Sequence, residues 1–199
     1  MNFITKSAID FKVPAVLSDG EFDEAFCFSE YVKNKYAVLF FYPLDFTFVC
    51  PTEIISFNNR ISEFIKRDVK VTGVSVDSKF SHYRWREIPV DKGGIGKVNY
   101  PLVSDIKKSI AKDYDVLYDD SVALRATFII DKKFIIRHQS INDLPIGRSI
   151  DEVLRIIDAI KHYEEHGEVC PAGWEKGKTA MQASDEGVAD YLNSYSEEL

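Results

Sequence analysis

Sulfur is scarce in this chain. Its 199 residues include three cysteines (Cys27, Cys50 and Cys170) and two methionines. An odd, low cysteine count excludes a closed framework of structural disulfides, so a pair that does form reads as a catalytic intermediate. No C-x-x-C occurs, because Glu53 stands where a dithiol motif starting at Cys50 would have its second cysteine. Positive charge is also short. Lys and Arg total 25 against 32 Asp and Glu, a formal net charge of −7, and no basic patch stands out. That excludes nucleic acid as an expected partner and favours solubility. The longest apolar runs, around residues 37–42 and 128–130, have strand length, well short of the ~20 residues of a membrane helix. The opening "MNFITKSAIDFKVPAVL" carries charges throughout and has no signal-peptide apolar region, so the cytoplasm is the expected location.

Metal and phosphate motifs are missing too. His82, His138, His162 and His166 form no H-x-x-x-H with its glutamate; His162 and His166 lie four apart at a polar helix end and read as surface residues. Gly93-Gly94-Ile95-Gly96 is not G-x-G-x-x-G and does not directly follow a strand of a β-α-β unit. No metal and no cofactor are expected.

What is present is core material: 45% hydrophobic and 13% aromatic residues, ample for one packed domain. "YAVLFFYP" (36–43) is nearly all apolar, as a central strand covered on both faces should be. "CPTEIISFNNRISEFIKRD" places Ile54, Phe57, Ile61, Phe64 and Ile65 on one helical stripe, with Pro51 suited to the first turn. Residues 69–78 alternate like a strand, a helix runs from Lys79 until Pro89 ends it, and a short strand is expected at 100–104. "IKKSIAKDYDV" reads as a helix, and "RATFIIDKKFIIRHQSI" as a β-hairpin turning at Asp131-Lys132-Lys133. Ser149 and Glu152 form a capping box ahead of the stripe Ile150, Val153, Leu154, Ile157 and Ile160, and Gly167 closes that helix. The order predicts a mixed-sheet α/β sandwich of thioredoxin-like type over residues 1–167. Residues 168–199 are polar and rich in small side chains, with one weak helix at 185–194. They read as an arm laid over a surface, its own or a partner's, because Trp174 and Tyr191 need a docking site.

Cys27, between Phe26 and Phe28, reads as a small buried hydrophobe. Cys50 has a different address, because it heads a helix. There, unpaired N–H groups and a partial positive charge stabilise an anion, and the thiolate is the nucleophilic form of cysteine. On position alone, an inert core thiol is an equally good reading. The pattern Pro43-Leu-Asp-Phe-Thr47-Phe-Val-Cys50-Pro-Thr-Glu53 breaks the tie. It puts a hydroxyl three residues before the thiol and a proline of fixed φ after it.

"FYPLDFTFVCPTE" resembles the active-site segment of the typical two-cysteine peroxiredoxins, the alkyl hydroperoxide reductase C and thioredoxin peroxidase group. The resemblance continues through "VSVDSKFSHYRW", "YPLVSD", "ALRATFIID" and "GEVCPAGW", over nearly the whole chain and in the family's order. It implies that Cys50 is the peroxidatic cysteine, that Pro43 shields it, and that the Thr47 hydroxyl and Arg125 hold thiolate and peroxide. Glu53 and Trp85 fall at positions supporting the pocket. Cys170 matches the resolving cysteine, which a neighbouring subunit supplies for a disulfide with Cys50. The implied substrates are hydrogen peroxide and alkyl hydroperoxides, and the implied reductant is thioredoxin or a flavoprotein disulfide reductase. The implied assembly is a homodimer, five of which build a decamer. Gly93-Gly94-Ile95-Gly96 corresponds to the Gly-Gly-Leu-Gly element that packs on a C-terminal Tyr-Phe in overoxidation-sensitive members. Here Tyr191 is followed by Leu192, a departure from that device. A holdase chaperone and a peroxide sensor are the rival functions. The retained set of Thr47, Cys50, Arg125 and Cys170 counts against the first, whereas the second uses the same residues.

Overall fold

The computed structural model describes residues 1–199, the side chain of Glu198 excepted. They group into two compact units, Met1–Ile150 and Asp151–Leu199.

The first unit is built on β3 (Tyr36–Phe41), whose six residues are all buried, as its unbroken apolar run requires. β3 runs parallel to β4 (Val69–Ser75) and antiparallel to β8 (Arg125–Ile130). The sheet continues through β5 (Leu102–Ser104), β1 (Lys12–Val16) and β2 (Phe22–Cys27) on one side. On the other it ends at β9 (Ile136–Asn142). The spatial order is β2-β1-β5-β4-β3-β8-β9. Only β3/β4 and β4/β5 pair in parallel; the remaining neighbours are antiparallel. A separate ribbon joins β6 (Leu117–Tyr118) to β7 (Val122–Ala123).

Alternation along β3 divides the core in two. Phe40 stacks on Phe57 of α2 (Cys50–Asn59) at 4.3 Å between centroids and meets Tyr100 edge-on. Phe41 points the opposite way, into a cluster with Phe3, Tyr114 and Phe128. That second face is covered by the chain's N-terminal segment, by α1 (Phe28–Tyr31) and by α5 (Ser109–Asp113). Gly73, which pairs with Phe40 across β3 and β4, has no room for a side chain: a Cβ would lie 2.8 Å from Phe40 Cζ. The glycine is what lets the Phe40 ring lie flat over the strand.

Three expectations need correction. The β1–β2 hairpin is absent from the sequence reading because burial along it does not alternate: β1 is buried only at its end, at Ala15 and Val16, and β2 buries only Phe26. The helix expected to run unbroken from Cys50 stops at Asn59, and α3 (Ile61–Lys66) restarts after a break at Arg60. Asn58 directs its amide outwards, donating to Lys97 O at 3.2 Å and accepting from Asn99 N at 2.9 Å, as asparagine near a helix end favours. The break leaves Ile65 off the buried stripe, 66% exposed. Cys27 is half-buried rather than enclosed, with its thiol against Ser29 Oγ at 3.5 Å and Asp10 at 3.7 Å.

α4 (Lys79–Glu87) starts at Ser78, which accepts from Ser81 N. Beyond its end the backbone doubles back so tightly that a Cβ on Gly94 would fall 2.0 Å from the Ile88 carbonyl oxygen, which is why a glycine pair stands there. In the second unit α6 (Ile150–His166) begins directly after Ser149, where the capping box puts it, and Gly167 follows at φ 70°. The arm is folded: Val169 bridges to Met181, and Ser184 caps α7 (Asp185–Tyr195) by accepting from Gly187 N. No helix among the described residues is long and apolar enough to cross a membrane.

Candidate active site

Cys50 is the first residue of α2 and is fully buried. Pro51 occupies the first turn, where a missing N–H costs nothing, and Thr52 Oγ1 donates to Val49 O at 2.6 Å. Arg125, at the start of β8, reaches the thiol from the sheet. Its Nη1 donates to Cys50 Sγ at 3.3 Å and to Glu53 Oε2 at 2.7 Å, while Nε donates to Leu144 O at 2.6 Å. The carbonyl and the carboxylate fix the guanidinium from two sides, so its remaining capacity faces the sulfur.

The residue that sequence reasoning missed is Arg148. Its backbone N–H and Nε both donate to Glu53 Oε1, at 3.0 and 2.8 Å. Nη2 donates to Phe41 O at 2.6 Å and Nη1 to Ala126 O at 2.8 Å, so one side chain ties α2, β3 and β8 together. The guanidinium also lies 5.2 Å from the Phe40 ring centroid. No motif surrounds Arg148; only the fold brings it to a glutamate 95 positions away. Arg125, Arg148 and Glu53 are all buried. Two guanidiniums face one carboxylate here, and one of them, Arg125, also contacts the Cys50 sulfur.

The other predicted residues make contacts of their own. Pro43 is buried at the end of β3. Thr47 Oγ1 donates to Leu44 O at 2.8 Å, so its proton is committed and its lone pairs are free to accept. Trp85 donates from Nε1 to Gly93 O at 3.1 Å and meets the loop through Phe46, ring to ring at 5.4 Å. Phe48, two residues before the thiol, is 93% exposed. Cys170 belongs to the other compact unit and is half-buried, its Sγ 3.6 Å from Ala159 O. Among the described residues no group of His, Cys, Asp and Glu could hold a metal ion.

A buried polar cluster fastens the loop between Pro43 and Cys50. His82 Nδ1 faces Asp45 Oδ2 at 2.8 Å and Nε2 faces Val103 O at 3.2 Å. Tyr42 OH donates to Asp45 Oδ1 at 2.9 Å, and Asp45 N donates to Asp77 Oδ2 at 2.9 Å. Acceptors at both ring nitrogens favour the imidazolium, which can donate to both. Burial pulls its pKa down, but the Asp45 charge and hydrogen bond, with Asp77 adding to them, raise it above the ordinary 6.5. The stability from this pair is therefore fully present below pH 6.5 and drains away as pH climbs through the raised folded-state value. Urea midpoints measured on both sides of that range are expected to fall with pH in the wild type and to flatten in His82→Gln. Parallel slopes in the two proteins would remove His82 from the account.

One thiol worked by a guanidinium, on a thioredoxin-like sheet with no second cysteine in its helical turn, is how thiol peroxidases are built. Residues 4–139 match the family described as "AhpC/TSA family", and residues 159–194 match "C-terminal domain of 1-Cys peroxiredoxin", a stretch that contains Cys170. The chain belongs to the AhpC/TSA family, the peroxiredoxins, and is a thiol peroxidase with an antioxidant function. It is 55% identical over 196 residues to alkyl hydroperoxide reductase C of Helicobacter pylori, covering 98% of this chain and 99% of that one. It is 50% identical over 194 residues to peroxiredoxin-1 of Gekko japonicus, covering 97% and 96%. Its structure matches the reduced 2-Cys peroxiredoxin of Plasmodium vivax with a TM-score of 0.94 at 51% identity, covering 97% of this chain and all of that one. The thioredoxin-like fold is shared with it.

Proposed function

We propose that this peroxidase reduces hydrogen peroxide and alkyl hydroperoxides through a sulfenic acid on Cys50 and an inter-subunit disulfide with Cys170. The observation that carries the reading is Arg125 Nη1 at 3.3 Å from Cys50 Sγ, held there by Glu53 and Leu144. The thiolate attacks one peroxide oxygen in line with the O–O bond. That bond breaks, the far oxygen leaves as water or an alcohol after taking a proton, and sulfur keeps the near oxygen as S–OH. Negative charge moves from sulfur to the leaving oxygen, where Arg125 stabilises it, while the Thr47 hydroxyl, whose own proton goes to Leu44 O, accepts from the peroxide O–H. Pro43 keeps water from the sulfur, and Glu53 and Trp85 support Arg125 and the loop.

Cys170 of a second copy then condenses with the sulfenic acid. Bridged Cα atoms lie within about 7 Å, so the first turn of α2 unwinds and the arm loosens in each cycle. Residues 1–167 act as the peroxidase domain and 168–199 as the arm that delivers the resolving thiol. The working unit is a homodimer, assembled to a decamer in the cytoplasm. Thioredoxin or a flavoprotein disulfide reductase reopens the bond, and no cofactor takes part. The names of the relatives and the Cys50–Arg125 geometry support this reading.

Non-reducing gel electrophoresis after one equivalent of hydrogen peroxide tests it. A disulfide-linked dimer is expected in the wild type and in neither Cys50→Ser nor Cys170→Ser. A wild-type protein that consumes peroxide yet stays monomeric on the gel would leave a one-cysteine peroxidase.

A further inference from the structure

Within the second unit, the arm is pinned to α6 on both sides of Cys170. On the far side stands Arg155. It chelates Glu152, with Nε to Oε2 at 2.6 Å and Nη2 to Oε1 at 2.8 Å, and sends Nη1 to the Trp174 carbonyl at 2.8 Å. The carboxylate holds the planar guanidinium in one orientation, so the donor aimed at Trp174 is preset. Trp174 is buried, its indole N–H donates to Lys178 O at 3.0 Å, and its ring lies 4.9 Å from that of His162. On the near side, His162 Nε2 meets Glu168 Oε2 at 2.9 Å, and Gln182 donates to the other Glu168 oxygen at 3.2 Å. Cys170 lies between Glu168 and Trp174 in the chain, with its Sγ 3.6 Å from Ala159 O of α6, so both pins hold the segment that carries it.

We propose that Arg155 is a positioning residue for the second half-reaction: by bonding Glu152 and the Trp174 carbonyl it clasps the arm and sets how fast Cys170 is released to a sulfenic acid on another copy. The proposal rests on the reading of Cys170 as the resolving cysteine. The step balances without any further oxidant. Cys170 sulfur attacks Cys50 sulfur, the S–S bond forms as S–OH breaks, and the hydroxyl departs with the thiol proton as water. While docked, the thiol is pushed up by burial; Arg155 pulls it down and Glu168 pushes it up further. The docked sulfur therefore stays S–H, the form that reacts slowly with peroxide.

Arg155 thus has two conceivable effects of opposite sign, which makes the test decisive. If its charge mattered chiefly for ionising Cys170, Arg155→Ala would slow disulfide formation. A clasp predicts that the same variant speeds it. Rapid mixing with excess hydrogen peroxide, quenched and read by non-reducing gel and mass spectrometry, separates the peroxide-dependent first phase from the disulfide phase. Arg155→Ala and Glu152→Gln are each expected to raise the disulfide rate about tenfold, as loss of one charge-assisted hydrogen bond implies. The double variant should add little, and sulfinic acid per turnover should fall because the sulfenic acid lives for less time. An unchanged or slower disulfide phase overturns the clasp. In reduced protein without peroxide, alkylation of Cys170, mapped by mass spectrometry, should also be faster in both variants, and equal rates would likewise overturn it. A wild type that forms no disulfide would refute the resolving role alone, and the alkylation rates would still decide the clasp.

Discussion

Replacing Arg125 with alanine is expected to lower kcat/KM for hydrogen peroxide by about 10²–10³, the cost typical of removing one preorganised donor from a site of developing charge. Three contacts are lost together: Cys50 Sγ, Glu53 Oε2 and Leu144 O. The first contact is the chemical one. As the O–O bond stretches, negative charge travels from sulfur toward the leaving oxygen, and a guanidinium that is already buried and fixed needs no reorganisation to receive it. Arg125→Lys should recover only a small part of the loss, because an ammonium on a flexible stem cannot serve sulfur, carboxylate and carbonyl from one plane. Peroxide consumption followed under pseudo-first-order conditions measures the effect, with circular dichroism and urea titration to establish that the variant is folded. An Arg125→Ala protein within threefold of wild type, roughly 0.7 kcal/mol, would mean that the thiol is worked by something else.

Arg148→Ala is expected to act first on stability, lowering it by about 3–5 kcal/mol. Truncation takes donors away from Glu53 Oε1, Phe41 O and Ala126 O, acceptors buried where water cannot replace them. With an m-value of about 2 kcal/mol/M for urea, the midpoint should drop by roughly 1.5–2.5 M. Activity falls too, by a route that can be read separately. With Arg148 gone, Glu53 loses one of the two side chains that hold it, and Arg125 is fixed less firmly against the Cys50 sulfur. Below the new midpoint, folded Arg148→Ala protein should alkylate at Cys50 more slowly than wild type at the same pH. A midpoint shift smaller than about 0.3 M, under 1 kcal/mol, would show that the three carbonyl and carboxylate acceptors find other partners.

Local signals made much of the fold legible. The apolar run of β3, the alternation of β4, the Asp131 turn between β8 and β9, and Ser149 ahead of α6 each act within a few residues, and each element stands where its signal puts it. The expected helix at 185–194 is α7. Features set by contacts distant in sequence were not legible. The β1–β2 hairpin is fixed by its partners, and the break before α3 by Asn58 reaching across to Lys97 and Asn99. The site divides in the same way. Cys50 could be singled out because the pattern from Pro43 to Glu53 surrounds its helix start, and Arg125 because the family resemblance extends through "ALRATFIID". Arg148 sits in "LPIGRSI", a loop with no pattern, and its importance exists only once α2, β3 and β8 are assembled. Cys27 was misjudged because flanking phenylalanines say nothing about Asp10, which comes from an earlier stretch of chain and meets both the thiol and the nearby Ser29.

The placement of the reactive thiol at the edge of the core also has a consequence in time. Arg125 and Arg148 are anchored to the carbonyls of Leu144, Phe41 and Ala126, and two of these belong to the central strands β3 and β8. Backbone groups in such strands exchange their hydrogens only when the whole unit opens. Cys50 instead ends a loop that is held to the core chiefly through Asp45 and Phe46, with Phe48 facing solvent, so fewer contacts need to break to free the sulfur than to free the arginines. The cationic cradle is thus the slow half of the machine and the sulfur its fast half.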